Sequence, residues 1–270
     1  MTENERSRSA APHSDGSDGS DGGDDRAPRG HDARVVFLLD VDNTLLDNDA
    51  AKAELDRRLR ELVGEAETGR FWDLYEEVRH DTGVVSYPLT LARYHEDLRL
   101  RGHPPEAARA LEERRRALAD LVMLFPYDRY LFPGTRETIA HLRRLGRVAI
   151  LSDGDPAYQP IKIARSGLAA AVDGYVLVFA HKEEHTREIL AAFPADHYVL
   201  VEDKPMVIAK MRARLPVSLT TVLVKQGKYA AAAATMPWAG ADLTVEAIGD
   251  LRGLSLGTIL GPGRAPAATA

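Results

Sequence analysis

The chain has 270 residues and no cysteine. That absence removes disulfides, thiolate metal sites and cysteine nucleophiles together. Positive charge is also in short supply: 35 Lys and Arg stand against 41 Asp and Glu, a formal charge of -6. Such a balance gives no electrostatic footprint for nucleic acid or an anionic membrane. No apolar run is long and uncharged enough to span a bilayer, and the first thirty residues hold no apolar stretch of the kind a secretory leader needs. The expectation is a cytoplasmic, soluble protein.

Residues 1–33 lack apolar side chains almost entirely. Their repeat Ser14-Asp15-Gly16-Ser17-Asp18-Gly19-Ser20-Asp21-Gly22-Gly23 offers too little apolar surface to offset the entropy of ordering it. A disordered acidic tail is expected there, and not a calcium loop, because no closing Glu stands where an EF-hand requires one. A second disordered tail is expected over residues 259–270. What remains has ample apolar content, 44% over the whole sequence, for a sizeable core.

The most informative stretch is Val35-Val36-Phe37-Leu38-Leu39, followed by Asp40-Val41-Asp42-Asn43-Thr44-Leu45. Five consecutive apolar residues led by valine read as a strand buried on both faces, the kind found in parallel sheets covered by helices. In open α/β sheets the ligand crevice lies beyond the carboxyl ends of the strands, where Asp40 and Asp42 fall. Two apart on an extended backbone, they point to opposite sides. One can act as a nucleophile while the other moves protons; the plainer alternative is a strand-ending Asp followed by an Asx turn.

From Asp49 to about Asp120 the pattern is helical, with apolar positions such as Leu55, Leu59 and Leu62, then Phe71, Leu74, Tyr75 and Val78, punctuated by Gly64, Gly83 and Pro88. This predicts a helical cap, residues 47–130, inserted in a core formed by residues 34–46 and 131–258. Strand–helix alternation resumes with Arg147–Leu151, Tyr175–Phe179, His197–Val201, Leu219–Val224 and Leu243–Val245. The fold class expected is α/β, a three-layer Rossmann-like parallel sheet with an inserted α-helical cap. Successive strands end at Asp40 and Asp42, at Ser152-Asp153-Gly154, near Lys182, and at Glu202-Asp203. A carboxylate nucleophile, a hydroxyl with backbone amides, an ammonium and acids for a divalent cation suit in-line displacement at phosphorus.

With these motifs in this order, the sequence resembles the haloacid dehalogenase (HAD) superfamily of Rossmann-like phosphohydrolases over nearly all of residues 34–255. The resemblance implies that Asp40 is the nucleophile forming an aspartyl-phosphate and that Asp42 is the acid and then the base. It implies that Asn43, Ser152, Asp153, Gly154 and Lys182 serve phosphate binding, with Lys182 also paired to Asp40. Mg²⁺ is implied on Asp40, the backbone carbonyl of Asp42 and Asp203, for a phosphatase acting on a small phosphorylated metabolite. Two departures stand out. Glu202 replaces a Gly of the fourth motif, and Val207 occupies the place of its second acid, so either Glu202 supplies the missing carboxylate or the metal is held less tightly. Lys182 is followed by Glu183 where relatives carry Pro.

Other readings were weighed. His181-Lys182-Glu183-Glu184-His185 fits the inverted zinc-peptidase pattern H-x-x-E-H, but directly follows an apolar strand instead of lying within a long helix. A phosphomutase differs mainly in what accepts the phosphoryl group, and a non-catalytic phospho-ligand sensor is the alternative from another class. Dehalogenation is disfavoured because a halide leaves without a proton and gives Asp42 no task. Trp72 and Tyr75 are expected in the cap core; Arg79, His80, Tyr87 and Arg129 are candidate substrate contacts, with a solvated face the default expectation for each. Gln159 and Lys162 are expected on a helix surface, and Ala230–Ala234 in a helix.

Overall fold

The computed structural model describes residues 35–261 except 103, 105–107, 216 and 231–238. The expected N-terminal tail, residues 262–270 and most of the Ala230–Ala234 run lie outside the described residues. Strand β1 (Val35–Leu39) is buried throughout and sits inside a parallel sheet with β2 (Arg147–Asp153), β3 (Val176–Phe179), β4 (His197–Glu202), β5 (Leu219–Val224) and β6 (Leu243–Val245). The spatial order is β3-β2-β1-β4-β5-β6. The order reverses at β1, so the carboxyl ends of β2 and β4 flank it, and β1 pairs with both.

Alternation along β1 separates the two sides of the sheet. Val35, Phe37 and Leu39 join a core containing Ile139, Leu142, Ile163 and Leu168. Val36 and Leu38 join a second core with Ile189, Phe193, Ile208 and Met211. The first set of partners comes from α5 (Thr135–Leu142), α6 (Gln159–Arg165) and α7 (Leu168–Ala171), the second chiefly from α8 (Thr186–Ala192) and α9 (Pro205–Arg214). This is the expected three-layer arrangement. Ile259 and Leu260 correct the expected C-terminal tail: they belong to a short helix, Leu256–Leu260, and each is 1% exposed. Ser255 caps this helix, and its two apolar residues complete the first core, a contribution too short to show as periodicity.

The helical cap enters the fold through paired linkers. Leu46 pairs antiparallel with Leu131, Asp47 N donates to Tyr130 O, and Phe132 N donates to Leu45 O. Among the described residues, four α-helices lie between these linkers: α1 (Asn48–Val63), α2 (Glu65–Thr82), α3 (Tyr87–Arg101) and α4 (Ala108–Met123). Gly83, at φ 76°, closes α2 in the left-handed conformation that glycine adopts readily. Ser86 then caps α3 by accepting from Leu89 N, and its hydroxyl donates to Asp155 after β2. One buried serine therefore ends a cap loop and ties it to the core; an N-cap of this kind contributes about 1 kcal/mol. Among the described residues, no helix is long and apolar enough to cross a membrane.

Candidate active site

Asp40 extends β1 by one further ladder bond, its N–H donating to Val201 O. The chain then turns sharply, with Thr44, Leu45 and Leu46 all donating to Val41 O and Asn43 at φ 65°. This turn places Thr44 Oγ1 3.1 Å from Asp40 Oδ2. Lys182, in the turn after β3, reaches Asp40 Oδ1 at 2.7 Å and the carbonyl of Leu151 at 3.1 Å. Its ammonium also stands 2.6 Å from Glu202 Oε2, without the alignment of a hydrogen bond. The expected meeting of Asp40, Lys182, Glu202 and Asp203 is thus present, and all four are buried.

Electrostatics give the four groups different protonation. Burial would raise the Asp40 carboxyl, but the Lys182 and Lys204 charges prevail and hold it below the ordinary range. Burial works against the Lys182 ammonium, while Asp40, Glu202 and Asp153 hold its pKa well above the usual lysine value. Glu202 is raised by burial and by the Asp40 charge. Asp203 is pushed up to about 10 by burial, then by Asp40 and Glu202. An ionised, low-pKa carboxylate at the base of a cleft is chemically able to attack an electrophile.

Asp40, Glu202 and Asp203 each offer an oxygen within 4.8 Å of the others. Both Asp203 oxygens and Glu202 Oε2 are buried without a hydrogen-bond partner. Three converging carboxylates with orphaned hard oxygens fit a divalent cation such as Mg²⁺. Glu202 thus places a carboxylate oxygen in this group, the arrangement required by the first of the two expectations for the fourth motif. Val207 packs into the second core.

Above this cluster lies a cleft of about 330 Å³, lined by Asp42, Asn43, Asp153 and Gly154 from the core and by Tyr75, Arg79 and Tyr87 from α2 and α3. Tyr75 is both cap core and pocket wall; Arg79 and Tyr87, for which a solvated face was the default expectation, line the cleft. His80 and Arg129 are exposed elsewhere. Asn43 also lines the cleft, but its Oδ1 accepts from Asn48 and Asp49 at the start of α1 and its N–H bonds to Leu46 O, so most of its polar capacity shapes the turn. Ser152 is 1% exposed beneath Gln159. Asp153 Oδ1 accepts from Lys182 N at 2.8 Å, fixing the turn that presents the lysine.

Gln159 and Lys162 correct the expectation of a helix surface. Both are buried. Gln159 Nε2 donates to Asp42 Oδ2 at 3.1 Å and to Ser152 Oγ at 3.0 Å, joining the first two motifs. Lys162 pairs with Asp42 Oδ1 and reaches Asn48 Oδ1 at 2.7 Å. Their i, i+3 spacing puts two polar groups on one helix face, a pattern that a solvated face shares. Lys204, beside Asp203, was likewise missed, although its charge acts on Asp40.

The zinc reading fails on geometry. Lys182–Glu184 is a single 3₁₀ turn, the His185 ring stacks on Phe179 with centroids 4.2 Å apart, and its Nδ1 lies 3.1 Å from Glu188. Among the described residues, neither His181 nor His185 belongs to a group of potential ligands.

Comparison with known proteins agrees with this architecture. Residues 35–213 match the model of the haloacid dehalogenase-like hydrolases. No curated protein matches the chain in sequence. A crystal structure assigned to the haloacid dehalogenase-like hydrolases, from Burkholderia xenovorans LB400, is 35% identical, covers 83% of this chain and 100% of its own, and has a TM-score of 0.69. The HAD hydrolase YfnB from Bacillus subtilis, solved bound to magnesium, is 16% identical over 82% of this chain and 97% of its own, with a TM-score of 0.50. A dehalogenase is 19% identical over 82% of this chain and 96% of its own, with a TM-score of 0.51. The last two likenesses concern the fold alone. With the family model spanning most of the chain and a relative at 35% identity, the protein belongs to the haloacid dehalogenase-like hydrolases and is an enzyme of that hydrolase family.

Proposed function

We propose that the protein is a Mg²⁺-dependent phosphatase that hydrolyses a small phosphomonoester through an aspartyl-phosphate on Asp40. The observation that carries this reading is the group of three buried carboxylates with orphaned oxygens, two of them on Asp203, next to Lys182 and the more distant Lys204. Buried acids in this number call for a cation. Phosphoryl transfer brings further negative charge to the same place, whereas a haloacid reacting at carbon has no comparable need for a metal.

Asp40, Asp203 and Glu202, with the main-chain carbonyl of Asp42, would hold the ion. When bound, it screens the charge of the nucleophile and of the phosphoryl oxygens. A carboxylate oxygen of Asp40 attacks phosphorus as the bond to the leaving oxygen breaks, and Asp42 delivers a proton to that oxygen. Asp42 then takes a proton from water, whose oxygen attacks phosphorus and frees inorganic phosphate and Asp40. Lys182 fixes Asp40 and neutralises charge, and Ser152 with the amide of Asp153 binds the phosphoryl group once Gln159 releases the serine, the Gly154 amide being held by Phe179 O. Gln159 and Lys162 hold Asp42 at the cleft. Since Asp42 bonds to both in this structure, transfer to the leaving group requires it to exchange one of these contacts for the substrate.

The test is release of phosphate from a panel of phosphomonoesters with Mg²⁺, with Asp40→Asn as control and 2-chloropropionate as the rival substrate. Mg²⁺-dependent phosphate release abolished by Asp40→Asn supports the reading. Chloride release without phosphate release overturns it.

A further inference from the structure

The cleft wall facing the cap carries more positive charge than a phosphoryl group alone explains. Lys52 from α1, Arg79 from α2 and Lys228 from the loop after β5 all line it. Three separate segments thus bring cations to one cavity in a chain whose net charge is -6. The acids on the same wall are engaged: Asp42 by Lys162 and Gln159, and Asp153 by the Lys182 backbone. Lys204 also lines the cleft, but the charges of Asp40 and Glu202 act on it from below.

Lys52 is the clearest case. Its ammonium lies 4.7 Å from the Trp72 ring centre and 4.4 Å from that of Tyr75. Among the described residues it has no carboxylate within ion-pair distance. Partial burial lowers its proton affinity; Lys228 and Arg79 add to this effect, while Glu76 and Asp49 oppose it from longer range. Lys228 has only a loose partner, Asp49, at 3.8 Å, and Arg79 has Glu76 at 3.5 Å. These cations repel one another, and a narrow cleft focuses their field on whatever occupies it. A neutral alcohol leaving group would give that field nothing to act on.

We propose that the cleft selects a phosphomonoester whose organic part carries a second anionic group, a carboxylate or another phosphate, held by Lys52, Arg79 and Lys228. This substrate class rests on the phosphatase reading. The experiment compares kcat/KM within two pairs: 3-phosphoglycerate against glycerol 3-phosphate, and fructose 1,6-bisphosphate against fructose 6-phosphate. The anionic member of at least one pair is expected to exceed its neutral partner by about tenfold or more, mainly through KM. The pair showing the excess distinguishes carboxylate from phosphate.

Lys52→Met, which keeps an aliphatic stem against the rings, and Arg79→Met are each expected to lower that ratio by about tenfold. A merely structural role would lower both members alike. Turnover of the neutral esters with ratios near one in both pairs overturns the substrate class and leaves the phosphatase reading standing. If none of the four is turned over, calorimetric binding of 3-phosphoglycerate and glycerol 3-phosphate to the Asp40→Asn protein decides separately. Tighter binding of 3-phosphoglycerate, lost on adding Lys52→Met, supports the anion subsite independently of the phosphatase reading. Equal binding overturns the subsite.

Discussion

Lys182 Nζ and Asp40 Oδ1 meet at 2.7 Å, 142 residues apart in sequence and both essentially inaccessible to solvent. The lysine is shared by Asp40 and Glu202, so its removal leaves those buried acids with the more distant Lys204 in place of a contacting countercharge. Lys182→Met is expected to destabilise the metal-free protein by about 3–5 kcal/mol, the scale for breaking a buried ion pair by removing one partner. Chemical denaturation checks this. Adding Glu202→Gln to Lys182→Met should recover part of the loss, because one of the stranded charges is gone.

Asp42 is expected to matter according to the leaving group. General acid catalysis contributes roughly 10²–10⁴-fold, so Asp42→Asn should lower kcat by about that factor with an alkyl phosphate. With nitrophenyl phosphate, whose phenolate leaves without help, the loss in the phosphorylation step should be much smaller. Single-turnover kinetics on both substrates measure the difference. An equal loss on both would assign Asp42 a structural role.

Removing the supports of Asp42 should have a smaller effect of the same kind. Gln159→Leu severs the tie between Asp42 and Ser152. A drop in kcat of about tenfold on alkyl phosphates is expected, well within the range open to positioning residues, with unchanged circular dichroism.

Metal binding should stabilise the protein more as pH rises. Asp203 has a pKa near 3.8 when unfolded and about 10 in the metal-free fold. Between those values the folded state holds the extra proton, so stability falls as pH increases. A divalent cation replaces that proton and removes the penalty. Thermal shift at a fixed Mg²⁺ concentration about 100-fold above the pH 6 Kd, equivalent there to about 2.7 kcal/mol, should raise Tm by about 5–10 °C at pH 6 and by more at pH 9. No shift at either pH would contradict the assignment of the carboxylates to a metal.

Gly227 supports the turn from the opposite side. It sits at φ 65°, and a Cβ there would lie 2.5 Å from Asn43 Cβ. Gly227→Ala is expected to cost about 2–3 kcal/mol from the left-handed backbone and the clash together, read as a lower midpoint in urea.

The sheet was legible because its strands are short, continuous apolar runs, and Leu219–Val224 and Leu243–Val245 coincide with their sequence boundaries. Asp40, Lys182 and Asp203 were legible because each follows such a run. Gln159 and Lys162 were not, because α6 is seven residues long and partly inverted in polarity: Lys162 is 4% exposed while Ile161 is 39% exposed. A hydrophobic pattern assigns the lysine outward. Only its pairing with Asp42, 120 residues away, reverses that assignment. The second role of Asn43 was hidden for a related reason, since its position beside the acids says nothing of α1, whose first amides donate to its side chain.

The central claim is tested most directly by acid-quenching the enzyme during turnover of a phosphomonoester in Mg²⁺ and mapping its peptides by mass spectrometry. A phosphoryl group on the side chain of Asp40, forming at a rate consistent with turnover and absent from Asp40→Asn, is the predicted result. Turnover that proceeds at an undiminished rate in Asp40→Asn would contradict the account.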